Sequence, residues 1–433
     1  MDILKYPKKE DWADLLVRPA NDVTELFGTV QRILDDVRLH GDAAVRRFTE
    51  EYDHVAPELL PSLEVSEEEM KQAEKEVPIE LKAALMLAQK NITAFHEQQR
   101  YKPYSVRTMD GVICQRKAVP VEKVGLYVPG GSAPLFSTVL MLAVPARIAG
   151  CREIILCTPP NKKGKVHPAI LYAASISGVH RIFKVGGVQA VGAMAYGTET
   201  IPKVYKIAGP GNRFVTAAKQ IVALRDVAID MPAGPSEVAV LADATANPRF
   251  VAADLLSQAE HGADSQVLLL TDSEDLIEPV VDEVERQLSR LPRRNIAENA
   301  LVHSKIILLR SMEEALEMCN EYAPEHLIIQ AENYRTLAEG VTNAGSVFMG
   351  PLTPESAGDY ASGTNHTLPT NGYAKAYSGV SVESFQKKIT YQEITPEGLK
   401  QIGPAIEVMA AFEQLDGHKN AITVRLDELG RHI

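Results

Sequence analysis

From Lys123 onward the chain alternates short apolar runs with helical stretches, and does so twice. That alternation limits the possible folds more than any single residue does. Val124-Gly-Leu-Tyr127-Val, Glu153-Ile-Ile-Leu-Cys157, Arg181-Ile-Phe-Lys-Val185 and Lys203-Val-Tyr-Lys-Ile207 read as buried strands. Residues 138–149, 168–177, 188–196 and 213–224 carry helical periodicity between and after them. The pattern restarts at Glu237, with strands expected over 237–242, 266–270, 305–309, 326–329 and 346–349. Helices are expected over 248–261, 276–291, 312–322 and 334–343. Strands and helices joined by short loops imply parallel sheets with right-handed crossovers. The expected class is α/β, with two Rossmann-like parallel-sheet domains plus small helical N- and C-terminal segments.

The flanking regions read differently. Residues 24–40 place Leu26, Val30, Ile33, Leu34 and Val37 at helical spacing, with Gly41 as the expected stop. Residues 67–101 read as a longer amphipathic helical tract, and 112–121 as extended. Residues 350–379 are rich in Gly, Ser, Thr and Pro and read as a long loop, which in a compact protein tends to be functional. The tail, over 384–390, 396–402, 404–415 and from 419 on, reads as mostly helical.

Composition narrows the function classes. The chain has 433 residues, enough for two sizeable cores, and a net charge of -12 without any basic stripe interleaved with aromatics. Nucleic acid is therefore not an expected partner. Charges near the N-terminus stand where a signal peptide needs an apolar run, and no apolar stretch is long enough to span a bilayer. Cys114, Cys151, Cys157 and Cys319 fall in no metal-binding or redox spacing, so free thiols in a reducing cytoplasm are expected.

The chemistry-bearing residues are scattered. In the segment from Asp254 to Asp264, Gln258 and His261 lie three positions apart, side by side on one face of an expected last helical turn that Gly262 stops. An amide oxygen and an imidazole can both hold a divalent cation, though such a His is more often a capping or surface residue. No G-x-G-x-x-G occurs. Gly209-Pro-Gly211-Asn212-Arg213-Phe214 comes nearest, following a strand and opening a helix whose N-terminus suits an anion. Val128-Pro-Gly130-Gly131 and Gly186-Gly187-Val-Gln189 are further glycine turns at strand ends. Converging at one edge they would make a dinucleotide cleft, whereas each alone is ordinarily a tight turn. Pro324-Glu325-His326 places a carboxylate and an imidazole at a helix-to-strand junction, suited to proton transfer but with side chains expected on different sides. Asp359 and His366 lie in the long loop, and His418 follows Glu413 and an Asp-Gly turn in the tail.

Together these segments resemble the histidinol dehydrogenase family. The matching blocks are Gly125-Leu-Tyr127-Val-Pro-Gly-Gly131, Ala208-Gly-Pro-Gly-Asn212, Ala233-Gly-Pro-Ser236-Glu237, Leu255-Leu-Ser-Gln258-Ala-Glu-His261-Gly262, Ala323-Pro-Glu325-His326-Leu327 and Ser356-Ala-Gly-Asp359-Tyr-Ala-Ser-Gly-Thr-Asn-His366. The resemblance implies zinc, one ion per subunit, on Gln258, His261, Asp359 and His418. It implies an acid–base pair in Glu325 and His326, and NAD held at Tyr127, Gln189 and Asn212. Substrate contacts are implied at Ser236, His326, His366 and Glu413 and at the four zinc ligands. The implied reaction is the four-electron oxidation of L-histidinol to L-histidine through L-histidinal with two NAD, the last steps of histidine biosynthesis. The alternative is a related NAD-dependent dehydrogenase acting on another amino alcohol. The implied assembly is a homodimer whose tails, carrying Glu413 and His418, complete each other's sites.

Domain boundaries follow from this likeness. Residues 1–21 form an N-terminal helical segment. Residues 22–123 with 237–380 form a first Rossmann-like domain carrying the zinc and catalytic residues. Residues 124–236 form a second, NAD-binding one, and 381–433 the exchanged helical tail. Three rivals make distinct demands. A cysteine hemithioacetal mechanism needs a reactive Cys114 or Cys151. A zinc hydrolase leaves three glycine turns without a purpose. A catalytically retired relative should lack at least one of the six ligand and acid–base residues, and all six are present.

Overall fold

The two rounds of alternation fold into two sheets in which every strand pairs in parallel. The computed structural model describes residues 1–19, 23–130, 133–179, 181–231 and 234–430. The motif residues Gly131 and Ala233, and the expected boundary between residues 21 and 22, lie outside the described residues. Contacts divide the chain into two units, one of Met1–Gln99 with Val121–Phe385 and another of Arg100–Pro120 with Gln386–Ile433.

Both parallel sheets belong to the larger unit. The first runs Arg181–Lys184, Glu153–Thr158, Lys123–Tyr127, Lys206–Ala208, Ala228–Ile229 across its width. The second runs Asp2–Lys5, Lys305–Leu308, Gln266–Thr271, Glu237–Ala242, His326–Gln330, Ser346–Met349. In each, apart from the edge strand Asp2–Lys5 added to the second, the chain starts at a central strand, steps outward twice, then returns to the other side, which creates a switch point beside that central strand. Helices cover both faces, so Glu237–Ala242 and Gln266–Thr271 are buried at every position. Each buried Val or Leu there contributes about 1.5–3 kcal/mol of transfer free energy.

Several expectations give way to tertiary constraints. The opening residues are not helical throughout: Asp2–Lys5 is an edge strand paired in parallel with Lys305–Leu308. Four residues hold too little periodicity to announce a strand whose hydrogen bonds come from a segment three hundred positions away. Gly41 does end its helix, as expected: with φ at 51° and ψ at -131° it is non-helical and divides the stretch Phe27–Asp53 into two helices across a kink, where an added Cβ would meet the Glu199 carboxylate. The tract over 67–101 is two helices, Glu67–Glu76 and Ile79–Glu97, because Pro78 cannot continue the first. The loop over 350–379 contains a short helix, Glu355–Tyr360.

The smaller unit corrects the reading of the tail. Gln386–Ile394 is a nine-residue strand, not helix, paired antiparallel with Val112–Pro120, which pairs in turn with Tyr104–Met109. Alternating Lys, Ile, Thr, Tyr and Gln suit an edge strand, and the partner that reveals it lies far back in sequence. Pro396–Phe412 is a single helix containing Pro404 and packs on Asp416–Glu428, where Gly403 admits Leu426 and Ile422.

The pairing of His326–Gln330 with Ser346–Met349 starts from bonds just outside the strands. Gly345 donates to the Pro324 carbonyl at 2.9 Å and Ser346 to the Glu325 carbonyl at 2.9 Å. An added Cβ at Gly345 would stand 2.5 Å from the Glu325 oxygen. Gly345→Ala should therefore displace the Glu325 main chain and cost about 1–3 kcal/mol, read as a lower urea midpoint at unchanged slope.

Candidate active site

A cleft of about 500 Å³ lies between the two sheets of the larger unit. Its lining includes Asn212 on one wall and Ser236, His261, Glu325, His326, Asp359 and His366 on the other. The sheets present opposite ends to it. Asn212 follows the C-terminal end of the strand Lys206–Ala208, whereas Ser236 and Glu325 precede the N-terminal ends of theirs. Only the first sheet thus obeys the rule that ligands gather at carboxyl ends.

The glycine turns of the first sheet do converge. Added Cβ atoms on Gly130 and on Gly186 would both strike the Pro159 ring, and one on Gly209 would strike the Tyr127 carbonyl. With φ at 133°, Gly209 holds a conformation no L side chain adopts readily. Asn212 caps the helix Arg213–Ala223, its side-chain oxygen accepting from Phe214 and Val215 at 3.1 Å each. Tyr127 and Gln189 do not line the cleft. Tyr127 is buried, and its hydroxyl accepts the Gly187 amide at 3.0 Å. Gln189 is buried beside Asp53, its Nε2 3.5 Å from Oδ2 and its own Oε1 unpartnered.

On the other wall, the helix Pro248–Ala259 ends before His261, which sits one turn on and donates its amide to the Gln258 carbonyl at 3.2 Å. Gln258 is fully buried, whereas His261, just past the helix end, is exposed. Glu325 and His326 depart from expectation, since their side chains converge, with Glu325 Oε2 3.5 Å from His326 Nδ1. The strand's alternation has not begun at Glu325, which follows Pro324 and the left-handed Ala323 (φ 54°). The Glu325 carboxylate accepts the Glu237 amide at 3.1 Å.

His326 is held on several sides. Gln258 Nε2 lies 2.7 Å from its Nδ1, the Glu237 carbonyl 3.3 Å from the same atom, and Asp359 Oδ1 3.6 Å from its Nε2. Burial disfavours the imidazolium, but the charge of Glu325 and the hydrogen bonds of Asp359 and Glu325 outweigh it and raise the pKa well above the ordinary value. In Asp359 burial works upward, yet its contacts with His326 bring the carboxyl below its usual range. His366 Nδ1 donates to the Asp359 carbonyl at 3.0 Å, its Nε2 lies 3.3 Å from the Thr138 hydroxyl, and burial lowers its pKa.

His261 and Asp359 come together, and Glu355 joins them, while Gln258 lies against His326. Ligand atoms of His261, Glu355 and Asp359 lie within 4.8 Å of one another. The Gln258 Oε1 and Glu355 Oε2 atoms are buried without a hydrogen-bond partner, the condition of donor atoms shaped for something else. Glu355 was hidden in sequence by the Gly/Ser-rich loop. Read as helix, its spacing of four from Asp359 would have placed both carboxylates on one face. Burial raises the Glu355 pKa to about 8. Glu413 and His418 are exposed residues of the smaller unit, the first capping Pro396–Phe412 and the second in the first turn of Asp416–Glu428. No cysteine lines the cleft; Cys157 and Cys319 are buried, and burial pushes the Cys151 thiol up to about 12.

Comparison with known proteins gives one answer. The histidinol dehydrogenase family model matches residues 16–426. Histidinol dehydrogenase of Bacteroides thetaiotaomicron is 66% identical over 429 residues, covering 99% of this chain and 100% of the relative. That of Shigella dysenteriae is 52% identical over 423 residues, covering 97% and 96%. The crystal structure of histidinol dehydrogenase from Elizabethkingia anophelis matches with a TM-score of 0.96 and 52% identity, over 99% of this chain and 98% of that one.

Two outcomes are expected of the site. Titration against a chromophoric chelator should find a bound divalent cation, with His261→Ala weakening it by about tenfold or more. Asp254, one turn before Gln258, is buried and accepts from Gln330 Nε2 at 2.5 Å. Burial raises its pKa from 3.8 to about 7. The folded state then keeps a proton that the unfolded chain has lost, so this group's contribution to stability falls as pH rises through that window. Asp254→Asn should flatten the fall in chemical-denaturation curves across the same range.

Proposed function

Because the chain belongs to the histidinol dehydrogenase family and is therefore an oxidoreductase, we propose that this cleft oxidises L-histidinol to L-histidine through L-histidinal, using two NAD and a zinc ion. The observation that carries this reading is the convergence of Glu325 and His326 with Gln258, His261 and Asp359 beside the glycine turns of the first sheet. The orphaned Gln258 Oε1 and the His261, Glu355 and Asp359 cluster fit a divalent cation in an imidazole- and oxygen-rich site. Gln258, His261 and Asp359 would hold it, with His418 from a second copy. When bound, the ion supplies a positive anchor for the imidazole and amino nitrogens of histidinol.

The chain's own residues then do the proton work. His326 takes the proton of the alcohol as the first hydride leaves its carbon, giving the aldehyde. Glu325, oriented by the Glu237 amide, takes a proton from a water that adds to the aldehyde carbon, while His326 returns its proton to the aldehyde oxygen, giving the hydrate. His326, neutral again, takes a hydroxyl proton of the hydrate as the second hydride leaves, giving the carboxylic acid, which ionises to the carboxylate. NAD, when bound, would supply the hydride acceptor for each oxidation and would be held at Tyr127, Gln189 and Asn212, of which Asn212 lines the cleft and the other two lie buried behind it. Ser236, His366 and Glu413 contact the substrate. The raised thiol pKa of Cys151 and the absence of cysteine from the cleft lining support this scheme over a hemithioacetal.

The shared-site homodimer has its own support. The smaller unit leaves Val408, Met409 and Phe412 exposed at 57%, 65% and 87%, an apolar stripe on the helix that leads to Glu413. No helix among the described residues is long and apolar enough to cross a membrane, which fits the expected cytoplasmic location.

The deciding measurement is NADH formed per histidinol consumed by the zinc-loaded protein. A ratio of two is expected. A ratio of one would mean that hydration fails and histidinal is the product, while no NADH would remove the substrate assignment. Glu325→Gln and His326→Gln should each lower kcat by about 10²–10⁴-fold. Mixing Glu325→Gln with His418→Ala protein should restore part of the activity if sites are shared between copies.

A further inference from the structure

The N-terminal arm, which no part of the proposed reaction uses, ends in a residue that reaches the back of the Glu325–His326 pair. Arg18 Nε donates to Glu237 Oε2 at 2.7 Å. Its Nη2 donates to the Tyr322 carbonyl at 2.7 Å and lies 3.3 Å from the Ala323 carbonyl. The guanidinium lies over the Tyr322 ring, 3.9 Å from its centroid. The arm is itself fixed, since Gln266 Nε2 donates to the Val17 carbonyl at 3.1 Å, and the Tyr322 hydroxyl donates to Gln266 Oε1 at 2.9 Å.

Each partner of Arg18 leads directly to a group that moves protons. The Glu237 amide donates to the Glu325 carboxylate, and the Glu237 carbonyl faces His326 Nδ1. The second Glu237 carboxylate oxygen accepts the Asn371 amide. Tyr322 and Ala323 form the left-handed turn that delivers Pro324-Glu325-His326, and Ala323 holds φ 54° without being glycine. Strain of that kind persists only where the surroundings over-determine it. A planar fork with several donors can bind a carboxylate and two carbonyls at once, which an ammonium cannot. Arg18 and Glu237 are also both largely withdrawn from solvent, their side chains 17% and 3% exposed.

We infer that Arg18, through its ion pair with Glu237 and its bonds to the Tyr322–Ala323 turn, is a positioning residue that sets the geometry of the Glu325 carboxylate and the His326 ring. It touches neither substrate nor cofactor. The inference rests on the acid–base roles proposed above for those two residues. Its loss should slow proton transfer while leaving the groups that bind substrate in place.

The test compares Arg18→Gln and Arg18→Lys with the unaltered protein, each checked for folding by circular dichroism and thermal unfolding. In Arg18→Gln, kcat should fall on the order of tenfold to a hundredfold, with KM for histidinol and for NAD within about threefold. Arg18→Lys, which keeps the charge on Glu237 but not the fork, should fall between. Nitrogen NMR of histidine-labelled protein should show the His326 ring resonances, assigned with His326→Gln, displaced in Arg18→Gln. An unchanged kcat, a proportionate change in KM, or unmoved His326 resonances would overturn the inference. If Arg18→Gln fails to fold, the Arg18→Gln/Glu237→Gln double variant, which leaves no unpaired buried charge, is read by the same criteria. Should the unaltered protein not oxidise histidinol, the proposed function fails on its own, and the NMR comparison still decides the role of Arg18.

Discussion

The parallel pairing of Glu237–Ala242 with His326–Gln330 is the constraint on which the site depends. His326 stands opposite Val238 in that register, which puts the Glu237 main chain directly beside Glu325 and His326. Its amide holds Glu325 and its carbonyl faces His326. Both strands are buried along their whole length, so a slip of register would send side chains to the wrong covered face and mispack the core as well as dismantle the site. A proton-transfer geometry built on such strands inherits the rigidity of the core.

Two sheets of the same strand order serve the cleft by opposite ends. The first contributes glycine turns at carboxyl ends, where backbone can approach a ligand closely and a helix N-terminus favours anions. The second contributes the starts of its strands, where side chains emerge from buried backbone and are already fixed. Gln258, one turn after the Asp254–Gln330 hydrogen bond, couples the helix Pro248–Ala259 to the same strand as His326. The result is a permissive wall facing a rigid one.

Much of the fold was legible because its signals are local. Apolar runs bounded by turns marked the strands, and the helix Met312–Tyr322 was read to its final residue. Pieces whose structure is supplied by a distant partner were not legible. Asp2–Lys5 and Gln386–Ile394 become strands through Lys305–Leu308 and Val112–Pro120, and nothing nearby in sequence records those partners. In the site, the family likeness named Gln258, His261, Glu325, His326 and Asp359, but the junction misled about how one pair faces. Glu325 and His326 converge because the strand begins only at the second. Glu355 and Arg18 carried no signal of their own, being an acid in a Gly/Ser-rich loop and a lone arginine in an N-terminal arm.

What the sequence determined by itself was the α/β class, the order of its elements and the chemical types available to a site. Those follow from periodicity, turn residues and side-chain identity, which act over a few positions. The tertiary structure alone decided that a carboxylate, an imidazole, an amide oxygen and an N-terminal arginine would meet around one strand junction. Such a meeting depends on register and burial between segments up to three hundred residues apart. Register is set by the summed packing of whole strands, and no local stretch of chain encodes that sum.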